Sequence, residues 1–545
     1  MDKKTPAQRP QRSAKEQMLR GSAWMTAGSI FSRILGAIYI VPWRVWMGAA
    51  FLTANALFTK GYQIYSVFLI IGTAGIPSAI SKQVAHYNAM NEYKTGLRLF
   101  RSGALLMAAM GVVSCAVLWL LAPILAVHDP ALTRVFRSLA WPLLLIPLLS
   151  ILRGFFQGYN EMAPSAISQF IEQVARIVYM LLMTFAIMRL GDHDYVSAVT
   201  QSTFAAFVGA AFGLGLLVVY FFGQRSRFAE LAAQSVDDIH ISVTQILIDI
   251  FKQAIPFIVL DSTINLYYIV DQYTFQPLLQ MWYRVSDMRS DEIYALFAGN
   301  ANKLIMIVVS LAVAMAVTAL PLLAAAATRG DQREVASQVT STLQLFYIVM
   351  IPAAVGMAAI ATPLYVLFYG YDQLGIHMLE LSSLLAILLG LFTVLATLLQ
   401  GLFHNKLAIV EMLAGFAVKF ALQAPLIYWT NVYGSTLASM AGMLVTCGLM
   451  LHTLRVEYHY KARQTMRRLA GIVGFSLVMF LAVRVIVTSL SLVINPASAL
   501  ASMVMLVVAL VVGVGIYAYA ILKTRLADLI IGTRVAGLRR RLHIR

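Results

Sequence analysis

The sequence predicts an all-α integral membrane protein of about fourteen spans: two six-helix lobes in parallel repeat, followed by two further helices. Three observations predict it. Of the 545 residues, 60% are hydrophobic and only 12% charged, where soluble domains carry about 25% charged residues; the mean hydropathy is +0.78. Apolar runs long enough to cross a bilayer, which takes roughly 20 residues, recur along the whole chain. Short motifs in the first half return in the second at a nearly constant offset.

The runs lie near 21–43, 57–81, 102–127, 136–156, 164–188, 197–222, 250–276, 299–326, 341–369, 379–402, 407–429, 434–454, 470–490 and 499–522. Residues 1–20 form a basic tail whose apolar sequel is long enough to span, with no small-residue cleavage site of a signal peptide. Residues 21–222 make the first lobe, 223–249 a polar linker with Arg225, Arg227, Asp237 and Asp238, and 250–454 the second lobe. Residues 455–522 are an appended pair, and 523–545 a second basic tail. The outer loop near 277–298 has room for a short surface helix.

The repeat rests on four pairs. Pro77 and Pro321 are 244 residues apart, Gln157 and Gln400 are 243 apart, Arg176 and Lys419 are 243 apart, and Pro123 and Pro363 are 240 apart. Six helices per half place both repeats in the same orientation.

The net charge is +17, concentrated in the two tails and the loops of one side. With the N-terminus inside, the inner segments hold 29 Lys and Arg; the outer ones hold Arg44, Arg134, Arg137, Arg189, Arg284 and Arg289. Both termini are therefore expected in the cytoplasm. Such flanking cations orient the chain and attract anionic lipid. They lack the interleaved aromatics of a nucleic-acid interface, and no nucleic-acid partner is expected. Cys115 and Cys447 lie in apolar runs without metal-ligand spacing.

An ionisable residue near the bilayer centre costs about 2.5–3.5 kcal/mol on insertion scales, so each one asks for a reason. Here they are mainly basic: Arg33, Lys60, Arg176, Lys303, Lys419 and Arg484, against Glu172, Asp261, Asp271 and Glu411. A surplus of buried cations suits an anionic substrate, arginine above all matching phosphate. The bland alternatives stay open. Glu172 and Arg176 are spaced to neutralise each other on one helix. Lys60, Lys303 and Arg484 are within snorkelling reach of an interface. Arg33, twelve residues into the first span, is the hardest to explain that way. Asp261, Asn265 and Tyr268 share one helical face, with Asp271 further along, as a cavity wall, a cation site or interhelical hydrogen bonding. Asp192-His193-Asp194 is a D-x-D pattern that in glycosyltransferases holds a metal, but it sits in a short outer loop. No P-loop, GxSxG, HExxH or CxxC occurs, so a transporter is expected, not an enzyme or an ATP-driven pump.

Phe31-Ser32-Arg33-Ile34-Leu35-Gly36 resembles the S-R-[IV]-L-G signature of the MurJ-type lipid II flippases. Gly75-Ile76-Pro77-Ser78-Ala79-Ile80-Ser81-Lys82 resembles the end of the second helix in their SpoVB-like branch. So does Arg153-Gly154-Phe155-Phe156-Gln157-Gly158, continuing through Met162, Pro164, Ser168-Gln169 and Glu172-Gln173 to Arg176. The resemblance implies the fold of the multidrug/oligosaccharidyl-lipid/polysaccharide (MOP) exporter superfamily, also called MATE-like. It implies two lobes around a cavity, alternating access, and a last pair of helices that grooves the lipid tail. It further implies a bacterial plasma-membrane protein with a lipid-linked oligosaccharide substrate, membrane lipids around it and cell-wall synthesis proteins as partners. A cluster of cations from helices one, two and eight would bind the pyrophosphate. Arg33 matches the first by motif; Tyr39 stands where Gram-negative relatives have a second arginine; Lys60 and Lys303 match by helix position. No cofactor is expected, although transport could couple to membrane potential or a monovalent cation. The rivals are a flippase for an exopolysaccharide or teichoic-acid precursor, a cation-coupled multidrug antiporter using Asp261 and Asp271, and a membrane glycosyltransferase or its scaffold.

Overall fold

The computed structural model describes residues 36, 38–73, 76–159, 161–235, 243–531 and 539. Among them every regular element is a helix, as a lipid-exposed backbone requires, because each N–H and C=O must find its partner within its own segment. Eleven stretches are long and apolar enough to cross a membrane, and one of these, Asn405–Tyr458, holds two helices. Together with the helix Phe51–Thr73 and the first span, most of which lies outside the described residues, this is consistent with about fourteen.

By its internal contacts the chain divides into two compact units. The first takes in the described part of Met1–Trp46 and Phe68–Ile255; the second takes in Met47–Val67 and Pro256–Arg545.

In the first unit lie α1 (Ile40–Met47), the C-terminal part of α2 (Phe51–Thr73) and α3 (Ile76–Ala89), whose second residue is Pro77. There follow α4 (Tyr93–Leu125), α5 (Pro130–Gly158), α6 (Met162–Phe185), α7 (Tyr195–Gly223) and the short α8 (Arg225–Ala233) inside the expected linker. The starts are chemically marked. Asp129 caps α5 by accepting from the N–H of Ala131 at 2.8 Å, with Pro130 at the first helical position. Asp194 caps α7, accepting from the N–H groups of Val196 and Ser197 at 2.9 and 3.2 Å. The hydroxyl of Ser197 holds the Asp194 carboxyl below its ordinary range. The D-x-D pattern thus contributes a helix cap.

The second unit begins with the N-terminal part of α2. It continues through α9 (Val243–Tyr283), α10 (Asp287–Tyr294), a π-helical stretch Ala295–Ala301, and α11 (Asn302–Thr328). The segment expected as an outer loop is therefore largely helix, running on into the eighth span. Then come α12 (Gln332–Ala359), α13 (Ala361–Tyr369), α14 (Gln373–Gly401), α15 (Asn405–Thr430) and α16 (Gly434–Tyr458). The appended pair is α17 (Ala462–Val493) and α18 (Ala499–Lys523), ahead of the short α19 (Leu526–Ile531). The pair docks on α12 and α13: Met479, Val483, Val487, Ala509 and Tyr517 form one cluster with Ala359 and Ile360. The Tyr517 hydroxyl donates to the Ile348 carbonyl at 2.9 Å.

Two close helix contacts, one in each half, resemble each other, although their glycines are 233 residues apart. A Cβ on Gly209 of α7 would lie 2.6 Å from the Glu172 carbonyl and 3.0 Å from the Arg176 Cβ. A Cβ on Gly442 of α16 would lie 2.6 Å from the Gly415 carbonyl and 3.0 Å from the Lys419 Cβ. Glu172 and Gly415 are 243 residues apart, as are Arg176 and Lys419. Each half thus joins its fifth and sixth helices at a glycine that only a bare backbone satisfies, below an intramembrane cation.

Candidate functional site

The cations of the spans fall into two groups, those whose charge is answered within the fold and those whose charge is not. In the first unit, Glu172 sits between two arginines: Arg153 Nη2 at 2.8 Å from Oε2 and Arg176 Nη2 at 2.9 Å from Oε1. Arg153 also donates to the Ser168 hydroxyl at 2.8 Å. The i, i+4 pairing of Glu172 and Arg176 is therefore made, and Arg153 joins it. Nearby, the Gly36 Cα faces the Gln173 side chain. Gly158 lets α5 pass against Ser81 and Val84 of α3, while Gln157 beside it is half-buried. Pro77 sits at the start of α3, where its missing N–H costs nothing. Arg33 lies outside the described residues.

In the second unit, Lys419 of α15 is fully buried and its ammonium lies 2.8 Å from Asp271 Oδ1 and 2.6 Å from the Ser439 hydroxyl. The same carboxylate oxygen accepts from Gln423 at 2.9 Å and Ser435 at 2.7 Å. Lys419 and Asp271 are thus partners, not an anion-binding cation and a separate cation site. Asp271 has a tethered ammonium where a free cation would otherwise sit. The expected polar stripe on α9 also divides: Asp261 is exposed, Asn265 half-buried and Tyr268 buried. Among the described residues Asp261 has no ion-pair partner. Arg484 pairs with Glu380 at 2.7 Å.

Lys60 and Lys303 belong to one polar seam, where α2 packs against α9, α10 and the π-helical stretch. Lys60 Nζ lies 2.5 Å from Asp291 Oδ1 and 3.0 Å from Gln276 Oε1, over the Tyr294 ring at 5.9 Å. Lys303 Nζ donates to the Asn55 side-chain oxygen at 2.8 Å and stands 4.9 Å over the Phe58 ring. Asn55 donates onward to Asn300 at 2.7 Å, and Asn300 to the Tyr365 hydroxyl at 2.8 Å. The seam is tight because residue 299 is glycine: a Cβ there would lie 2.7 Å from Asn55 Nδ2 and 2.9 Å from Thr59 Oγ1. The extra residue of the π-helical turn brings Asn300 onto that line, and such turns cluster at functional positions.

The electrostatic outcome is asymmetric. Lys60 is answered by Asp291. Among the described residues Lys303 meets no carboxylate, only a neutral amide and a ring face. A half-buried ammonium so placed retains its capacity for an anion. Sequence reasoning picked out both lysines and missed Asn55, Gln276, Asp291 and Asn300. The first two amides are weak signals at the edges of apolar runs, and Asp291 and Asn300 fall in or beside the segment expected as a loop.

Polytopic helices with an intramembrane cation seam define the class, a helical membrane transport protein. The chain belongs to the polysaccharide biosynthesis protein family, whose description matches residues 18–326. It is 32% identical over 540 residues to the lipid II flippase MurJ of Bacillus subtilis (strain 168), covering 96% of this chain and 98% of that one. Its fold is similar to that of the lipid II flippase MurJ in an inward closed conformation, with a TM-score of 0.58 at 12% identity over 93% of this chain and 99% of that one. It is similar also to a multidrug resistance MATE family transporter of the MOP superfamily in its inward-facing conformation, with a TM-score of 0.59 at 13% identity over 78% and 98%. These relatives are flippases and transporters, not enzymes, and the chain is a multi-pass bacterial membrane protein of the same fold.

Proposed function

We propose that this protein is a flippase that carries lipid II, the undecaprenyl-pyrophosphate-linked peptidoglycan precursor, from the inner to the outer leaflet by alternating access. The observation that carries the reading is Lys303, an intramembrane ammonium with no carboxylate partner among the described residues, in a chain 32% identical along nearly its whole length to a lipid II flippase. Lys303, with Lys60 and Arg33, would take the pyrophosphate. Lys60 already has Asp291, so the substrate phosphate would compete with that carboxylate for it. Both tails would lie in the cytoplasm, consistent with their basic charge.

The energetics are favourable. The pyrophosphate carries roughly two negative charges, and an inside-negative potential favours their outward movement by about 2.3 kcal/mol per charge per 100 mV. A cation-coupled exporter using Asp271 would first have to displace the Lys419 ammonium, which weakens that rival. Asp261 remains its candidate.

The test is depletion in the host followed by measurement of lipid II accessible at the outer face, with complementation by wild type, Lys303→Ala or Arg33→Ala. Loss on depletion, restored by wild type and not by the well-expressed variants, supports both the substrate and the cations. Unchanged lipid II in a host lacking a second flippase would move the function to another lipid-linked glycan. Rescue by Lys303→Ala together with failure of Asp261→Asn would favour cation coupling.

A further inference from the structure

We propose that the turn joining α16 to α17 is a binding site for the phosphate of an anionic membrane lipid. An open cavity of about 480 Å³ lies there, lined by Arg455, Lys461, Arg463 and Arg467 together with Tyr460 and Gln464. Among the described residues none of the four cations has an ion-pair partner. The carboxylate nearest in sequence, Glu457, is turned away to His404 at 3.0 Å.

The placement of these charges works against the helix they adorn. The first turn of a helix carries partial positive charge and favours acids. Here α17, 32 residues long, has Lys461 at its N-cap position, with no side-chain cap and no acid in its first turn. The N–H of Ala462 is taken by the Tyr460 carbonyl and that of Thr465 by the Lys461 carbonyl. Those of Arg463 and Gln464 have no acceptor among the described residues. Three exposed cations therefore line the same cavity as these open N–H groups, an arrangement that an oxyanion completes.

The occupant follows from the setting. The cavity lies at the junction of two helices that are long and apolar enough to cross a membrane, and the ends of such helices meet lipid headgroups. Met466, Val473 and Leu477 form an exposed apolar line along one face of α17, leading away from it. A lipid with its phosphate in the cavity would lay an acyl chain along that line, which a soluble phosphate could not use. The site is separate from Lys60 and Lys303 and does not depend on the transported substrate.

The experiment uses the full-length protein in neutral detergent, where orientation in a bilayer plays no part. Binding of phosphatidylglycerol is followed by titration, with phosphatidylcholine and inorganic phosphate as parallel probes. Saturable phosphatidylglycerol binding is expected, weakened at least tenfold by Lys461→Gln/Arg463→Gln/Arg467→Gln and unchanged by Arg98→Gln/Arg101→Gln, a basic pair on α4. Equal binding by the triple variant overturns the site, and equal binding of inorganic phosphate overturns the lipid as its occupant. Should the triple variant fold poorly, photoreactive phosphatidylglycerol on the wild-type protein decides: adducts within 455–477 support the site, and adducts only elsewhere overturn it.

Discussion

Lys419 and Asp271 show how a charge in a membrane helix can be either structural or functional. Their ammonium and carboxylate are 2.8 Å apart and shut off from solvent, so removing one partner strands the other. Lys419→Met is expected to destabilise the protein by about 3–5 kcal/mol, and the double variant Lys419→Met/Asp271→Asn to recover most of it; thermal unfolding in detergent measures both. The stranded cage of Asp271, Ser435 and Ser439 should then attract a free cation. Lys419→Met should gain thermal stability in sodium over choline salts, with wild type showing no such difference. Lys303 is the opposite case. Lys303→Gln keeps the hydrogen bond to Asn55 and loses the charge, so stability should change little while transport falls at least tenfold in a reconstituted flipping assay. Both lysines were legible as rare intramembrane cations. Which of them was already neutralised was not, because Asp271 is 148 residues from Lys419 and the pairing is made only in space.

At the scale of elements, the π-helical stretch Ala295–Ala301 and its glycine position the seam. Gly299→Ala places a methyl 2.7 Å from Asn55 Nδ2 and 2.9 Å from Thr59 Oγ1, so the Asn55 and Thr59 side chains must shift and the hydrogen bond from Asn55 to Asn300 is strained. A loss of about 1–3 kcal/mol is expected, with transport reduced beyond what the stability change explains; comparing unfolding with flipping separates the two. The start of α7 offers a pH test. The Asp194 carboxyl is held below its ordinary value of 3.8, chiefly by the Ser197 hydroxyl. Its contribution is therefore present above that value and is lost as pH falls through the lower folded one. Asp194→Ala should cost about 1 kcal/mol near neutrality, and this difference from wild type should shrink in strong acid. The acid-sensitive cap was not picked out from the sequence, where Asp194 entered only as part of the D-x-D pattern in an outer loop. Nor was the π-helical stretch, because Ala295–Ala301 is apolar nearly all round, so the phase shift of an extra residue has no polar face on which to show.

At the scale of the whole molecule, the expected sidedness of the charge and the proposed movement of an anion can both be tested. Outward movement of an anionic headgroup should accelerate with an inside-negative potential, about 2.3 kcal/mol per charge per 100 mV. Vesicles with imposed potassium gradients provide the measurement, and a rate indifferent to potential would mean the protein's own cations carry the compensating charge. Cysteines placed in the N- and C-terminal tails should be protected from an impermeant thiol reagent in intact cells. The division into units differs from a cut between the sixth and seventh spans: Met47–Val67 groups with the later helices. The polar contacts from Asn55 and Lys60 to Asn300, Gln276 and Asp291 account for it.

Sequence alone determined the membrane class, the positions of most spans, the repeat and the short roster of intramembrane charges. These depend on local composition and on offsets within one chain, and burial in lipid leaves a strong compositional signature. Only the tertiary structure decided how the charges pair. It bound Lys419 to Asp271, Arg153 and Arg176 to Glu172, and Lys60 to Asp291, and left Lys303 with an amide. Charge pairing depends on distances of a few ångströms between helices far apart in the chain, and apolar helices of similar composition can pack in many ways. The polar seam exists because Gly299 and the π-helical turn let two particular backbones meet.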